Sequence, residues 1–464
     1  MKKLMALAAF LGMITVSCRK IEMDGNGNGG GSGTESNILE GKISSDRTLK
    51  ASNTYKLRGI VYVTNGAKLT IEPGTTIQGE SASKGALVIT RGCQIIADGT
   101  KDKPIIFTSD ASAPKRGDWG GIVICGNAPT NSSFNGTAGL GQVEGGVNNG
   151  EGLGLYGGTN STESSGTLRY VRIEYAGWAF LPDNELNSLT LAGVGSGTTI
   201  DYVEIFKAND DAIECFGGTV NLKHTIFVST LDDDFDTDNG WSGKVQFGIV
   251  IRDSAIADVS KSESFESDND ANGSTLMPQT SGVYSNITVI GPRATSANVG
   301  NSLYLAGAQI RRNSTISIFN SVIMGYPTGL LIDAAKGSPT DLNIPNSLQI
   351  QNTIIAGCNT PVSYSASTTA PTGWTSADVL AWFNTSAYGN SILANNTDVK
   401  LAAPFNYAAP DFTPQAGSPL LTGASFTNAK LSSGFTNVSY RGAVGGSGED
   451  ATWWQGWTKL NLSL

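Results

Sequence analysis

Asn209-Asp210-Asp211-Ala212-Ile213-Glu214, Asp232-Asp233-Asp234-Phe235-Asp236-Thr237-Asp238-Asn239-Gly240 and Glu263-Ser264-Phe265-Glu266-Ser267-Asp268-Asn269-Asp270 are three versions of one phrase. Aligned on Ile213, Phe235 and Phe265, each carries an acid two positions before the hydrophobe: Asp211, Asp233, Glu263. Each carries another acid one position after it: Glu214, Asp236, Glu266. Near-copies of this kind mark a solenoid, which stacks equivalent residues of successive turns into ladders. The phrase predicts two columns of carboxylates.

The repeat extends in both directions. Leu168-Arg169-Tyr170-Val171-Arg172-Ile173 matches Ile200-Asp201-Tyr202-Val203-Glu204-Ile205 and Leu222-Lys223-His224-Thr225-Ile226-Phe227. Weaker copies begin at Val283, Ile318 and Ile350. A separation of 22 residues recurs, from Ile200 to Leu222 and from Ile213 to Phe235. Wider gaps, such as 168 to 200 and 318 to 350, read as coils with loop insertions. Upstream, Arg58 to Thr108 is a series of short β-branched runs punctuated by Gly, Pro-Gly and Asp-Gly, which indicates strands. The 58 glycines and only 15% charged residues suit an all-β chain with many tight turns.

A period of this length, with several short strands in each, resembles the right-handed parallel β-helix of pectate-lyase-like proteins. Each coil must return to the strand above it, and such crossovers are right-handed. Leucine-rich repeats have similar periods, but the Leu and Asn spacing they need is absent. The expected fold is an all-β solenoid with N-terminal and C-terminal caps, because end coils must hide their edges and interior. Ser376 to Phe383 reads as a short helix with Ser376 as N-cap. Trp453, Trp454 and Trp457 read as part of a cap rather than as a sugar platform.

The expected organisation has six parts. Residues 1–17 are a signal peptide: Lys2 and Lys3 precede an apolar run, Leu4 to Val16, too short to span a bilayer. Ile14-Thr15-Val16-Ser17-Cys18 resembles a bacterial lipobox, which implies cleavage before Cys18 and its lipidation. Residues 18–36 are then a Gly- and Asn-rich tether. Residues 37–134 are N-terminal coils, 135–166 a Gly/Asn-rich surface loop, 167–358 the central coils with the acid ladders, and 359–464 C-terminal coils and cap. The body also resembles a group of β-helix lipoproteins of Bacteroidota, through phrases such as Gly117-Asp118-Trp119-Gly120-Gly121 and Tyr440-Arg441-Gly442-Ala443. That resemblance implies an outer-membrane lipoprotein, on the cell surface or periplasmic face, and no particular reaction.

With 31 basic against 40 acidic residues and a net charge of −9, nucleic acid is not an expected partner. The cysteines other than Cys18 (Cys93, Cys125, Cys215, Cys358) are scattered and form no CxxC pair, which argues against a zinc site. Neighbouring coils lie about 4.8 Å apart, so stacked carboxylates repel by about 1 kcal/mol in water and about 3.5 kcal/mol at an effective dielectric of 20. Raised pKa values, arginine or a cation must offset this. Calcium fits, because Asp211, Asp233, Glu263, Glu214, Asp236, Glu266, Asp238 and Asp268 offer only oxygen donors. Aligning Ile310 with Phe265 places Arg311 in the column of Glu266, with Arg252 and Arg312 nearby.

Three functions fit these parts. The first is a calcium-binding face that binds a polysaccharide. The second is catalysis on an acidic polysaccharide, with Asp236, Glu266 and Arg311 as candidate catalytic residues. Resemblance to pectate lyases implies acid-bound calcium with Arg311 or Lys244 as base. Resemblance to polygalacturonases implies inverting aspartates such as Asp210 and Asp211, although their Gly-His-Gly and Arg-Ile-Lys phrases are missing. His224 stands at a repeat position held elsewhere by Tyr170, Tyr202 and Asn320, and reads as structural. The third function is purely structural or adhesive.

Overall fold

The computed structural model describes residues 36–462 apart from 182, 183 and 299. The leader, Cys18 and most of the tether lie outside the described residues. The remainder is a right-handed parallel β-helix whose coils contribute to three parallel sheets. The first sheet runs through Gly121–Cys125, Leu189–Ala192, Ile213–Phe216, Phe235–Asp238, Phe265–Ser267, Ala306–Arg311, Thr328–Asp333 and Thr360–Ser365. Long strands such as Thr199–Phe206 and Asn221–Val228 bend midway, so their later halves belong to the second sheet and their earlier halves to the third.

One residue makes each bend. Tyr170, Tyr202, His224, Phe247, Asn286, Asn320 and Asn352 all have left-handed backbone, with φ between 48° and 62°. Asparagine tolerates this conformation through local hydrogen bonds, whereas bulky side chains resist it. The bulky members offset the strain by stacking. Ring centroids are 4.4 Å apart for Tyr170 and Tyr202, 4.2 Å for Tyr202 and His224, and 5.1 Å for His224 and Phe247. His224 Nδ1 also lies 2.8 Å from Asp201 Oδ1, so the sole histidine is structural, as its repeat position indicates.

The interior is filled by Ile213, Phe235, Phe265, Leu222, Tyr284, Ile318 and their equivalents, all nearly inaccessible to solvent. Phe235 and Phe265 stack at 5.3 Å on consecutive rungs. Burying each such side chain contributes about 1.5–3 kcal/mol. The four cysteines among the described residues are free thiols. No helix among the described residues is long and apolar enough to cross a membrane.

Two excursions complete the body. The 135–166 loop forms small antiparallel pairs, Gly141–Gln142 with Leu155–Tyr156 among them. It buries Val143, Val147 and Tyr156 on Val88, Val123 and Cys125 of the coils. At the other end, the helix Ser376–Phe383 sets Val379, Trp382 and Phe383 into the main core. Its N-cap is Thr375 rather than Ser376, because Asp378 Oδ2 accepts the Thr375 N–H at 2.8 Å and closes a capping box. Trp453, Trp454 and Trp457 are buried, but along the flank rather than over the last coil: Trp457 meets Tyr170 edge-on at 5.5 Å. The final segment is a strap across the outer face of the second sheet.

Candidate functional site

The acid phrases fall in register. Ile213 pairs with Phe235 and Phe235 with Phe265, so Glu214, Asp236 and Glu266 stand directly above one another on the outer face of the first sheet. Asp211, Asp233 and Glu263 form the second column at the edge of the same sheet. There the first two carboxylates each cap the next rung: the Asp233 N–H donates to Asp211 Oδ1 at 2.8 Å, and the Glu263 N–H to Asp233 Oδ1 at 2.6 Å. The two columns are one site.

Arg311 needs correction. Glu266 pairs with Gln309 and Ser267 with Ile310, so Arg311 lies two residues beyond the Glu266 column and beside Asp268. An even slip keeps the side chain on the outer face. Arg311 therefore still reaches the acids, donating to Asp268 Oδ1 at 3.0 Å and to Glu266 Oε2. Arg312 donates to Asp268 Oδ2 at 2.6 Å. Lys244 belongs elsewhere: it starts the strand Lys244–Ile251 in the third sheet and bonds Ser433, so it is not a base for this face.

Other compensation comes from below the ladder. Arg252 and Asp234 are both completely buried and pair at 2.9 Å. Arg252 also donates to the Asp232 carbonyl at 2.6 Å and lies 5.1 Å from the Tyr304 ring centroid. Sequence reasoning missed Glu144 and Asn187. Asn187 Nδ2 donates to Glu214 Oε2 at 2.5 Å, while Glu144 arrives from the 135–166 loop to stand beside Glu214. The hydrophobic residues Val143 and Val147 on either side of Glu144 are the signal that this loop must fold back onto the coils.

Three groups of carboxylates have ligand atoms within 4.8 Å of one another: Asp210–Asp211–Asp232, Asp211–Glu214–Asp236 and Asp233–Glu263–Glu266. Asp238 and Asp268, also expected as ligands, belong to none of the three. Burial first, and neighbouring acids with it, pushes Glu263 up to about 7 and Asp232 up to about 8. Asp236 rises to about 6 and Glu144 to about 7 for the same reasons. Asp210, Asp211, Glu214 and Asp233 also lie well above the usual carboxylate range. Glu263 is only 1% exposed, yet its Oε1 has no hydrogen-bond partner. A buried acceptor without a donor costs about 1–3 kcal/mol. These residues suit a hard divalent cation, for which carboxylate oxygens are the natural ligands.

None of the curated proteins and none of the solved structures compared matches the chain. One sequence family does, and its description fits the three-sheet solenoid just described. With residues 41–405 matched by the pectate-lyase-like β-helix domain, this chain belongs to that family.

Proposed function

We propose that the protein is a lipid-anchored component of the cell envelope whose acid ladder binds calcium and presents a glycan-binding face. The observation that carries this reading is the Asp233–Glu263–Glu266 group, in which a buried Glu263 oxygen lacks any donor. A cation there would satisfy that oxygen and lower the repulsion along both columns. Calcium suits the oxygen-only donor set and accepts the irregular geometry that a sheet edge offers. The lipobox-like Cys18 and its tether supply the anchor, which holds the solenoid off an outer-membrane surface. A lyase or hydrolase at the same face is less well supported, because Arg311 is tied to Glu266 and Asp268 and is no free base.

Thermal and urea melts with calcium and with chelator test the cation. Free calcium at 100 times its dissociation constant should stabilise the protein by about 2.7 kcal/mol. Glu263→Gln should remove most of that gain. Superimposable curves with and without calcium would refute the site. Binding to a panel of acidic, neutral and amine-bearing polysaccharides tests the glycan.

A further inference from the structure

Beside the ladder is a cavity of about 400 Å³ between the 135–166 loop and the 270–276 turn. Phe216, adjacent to Cys215 on the Ile213–Phe216 strand, forms part of its floor, with Tyr156 tilted against it at 6.1 Å. Phe134 adds a second half-buried ring, and Leu276, 55% exposed, stands at the rim. Aromatic faces in a concave site of this size suit a saccharide ring, whose C–H faces stack on them while amides and hydroxyls fix its orientation.

The charge of the cavity narrows the choice of saccharide. Glu144 and Asp270 line it, Asp270 also accepting from the N–H groups of Asn272 and Ser274 in its own turn, and no lysine or arginine among the described residues does. Asp238, which pairs in register with Phe216, adds a third carboxylate next to Tyr156. The arginines nearest the ladder, Arg311 and Arg312, are committed to Glu266 and Asp268. A uronate or sulfated sugar entering here would meet like charge without a counterion. The wall also offers an acceptor in need of a donor: Asn131 is 7% exposed and its Oδ1 has no partner.

We infer that this cavity binds an amine-bearing saccharide, with the sugar ring against Phe216 and Phe134 and its ammonium held by Glu144 and Asp270. This deepens the glycan-binding reading and rests on it, but it does not require calcium.

The test is calorimetric titration of the whole chain, in chelator, with three tetrasaccharides: β-linked glucosamine, its fully N-acetylated form, and galacturonate. Saturable binding of the glucosamine tetramer, at least tenfold tighter than the acetylated one, is expected, with no heat from galacturonate. Phe216→Ala should weaken it at least tenfold while its calcium-dependent melt stays normal, which shows that the coils are intact, and Glu144→Gln should weaken it at least tenfold while still unfolding cooperatively in urea. Equal or tighter binding of galacturonate, or no binding of any tetramer, overturns the inference. Glucosamine binding without a calcium effect on the melt would leave this site standing and remove the cation reading alone.

Discussion

The two ends of the acid ladder are built from the same residue types and stabilised differently. At the end nearest Ala306–Arg311, Glu266 and Asp268 meet Arg311 and Arg312, and each ion pair is partly open to solvent. At the other end, Asp210, Asp211, Glu214 and Asp236 form no ion pair among the described residues, and Glu144 brings one more carboxylate to them. Between the two, Asp234 is neutralised from beneath by a completely buried Arg252. A sheet can therefore tolerate stacked acids in two ways: by supplying permanent counter-charge, or by leaving the acids protonated. The first gives a fixed structure. The second gives a site that responds to its solution.

Three changes should break or sharpen this contrast, beyond the calcium and glycan tests above. Arg252→Met should be the most damaging, because it strands Asp234 as a buried charge, at a cost of about 3–5 kcal/mol in urea unfolding. Adding Asp234→Leu to that variant should restore most of the loss; a double variant as weak as the single would show that packing by Arg252, not charge, matters. Arg311→Met should cost less, about 1–2 kcal/mol, since its pairs are partly hydrated. It should also enlarge the stabilisation by calcium, because the arginine end would then resemble the uncompensated end. An unchanged calcium response would separate the two ends for good.

The mildest probe is pH. Along the ladder, the folded-state pKa values are raised: about 6 for Asp236, about 7 for Glu263 and about 8 for Asp232. Between the unfolded values near 4 and these, the folded state holds protons that the unfolded chain has released. Stability in chelator should therefore fall as pH rises from about 4 to about 8, and Glu263→Gln should flatten part of that fall. Under the calcium proposal, added calcium should oppose the fall, because metal ligation needs deprotonated carboxylates. A chelated protein whose stability rises across this interval would contradict the assignment.

The columns are legible in the sequence because Ile213, Phe235 and Phe265 must all point into one core, and the acids beside them inherit their register. Arg311 is misplaced because the next inward residue is Ala308, which an alignment on large hydrophobes passes over in favour of Ile310. The wide loop before Ala306–Arg311 removes the spacing that would have corrected it. Glu144 and Asn187 are illegible for a different reason: they reach the site from a loop and from an insertion, where no repeat fixes position. The strap of tryptophans shows the same limit. Its burial is readable from composition, but the surface it lies on is not.

That strap alters how the solenoid should come apart. In an array whose coils touch only their neighbours, the ends loosen independently of the middle. Here Arg172 donates to the Trp457 carbonyl, both Glu204 carboxylate oxygens accept the Lys459 N–H, and the Gly442 N–H donates to the Asn320 carbonyl at 2.7 Å, several coils away. Distant coils are fastened to one another without being neighbours. Opening any of them should disturb the rest, so amide exchange across the second sheet should report a single cooperative event rather than a gradient from the ends.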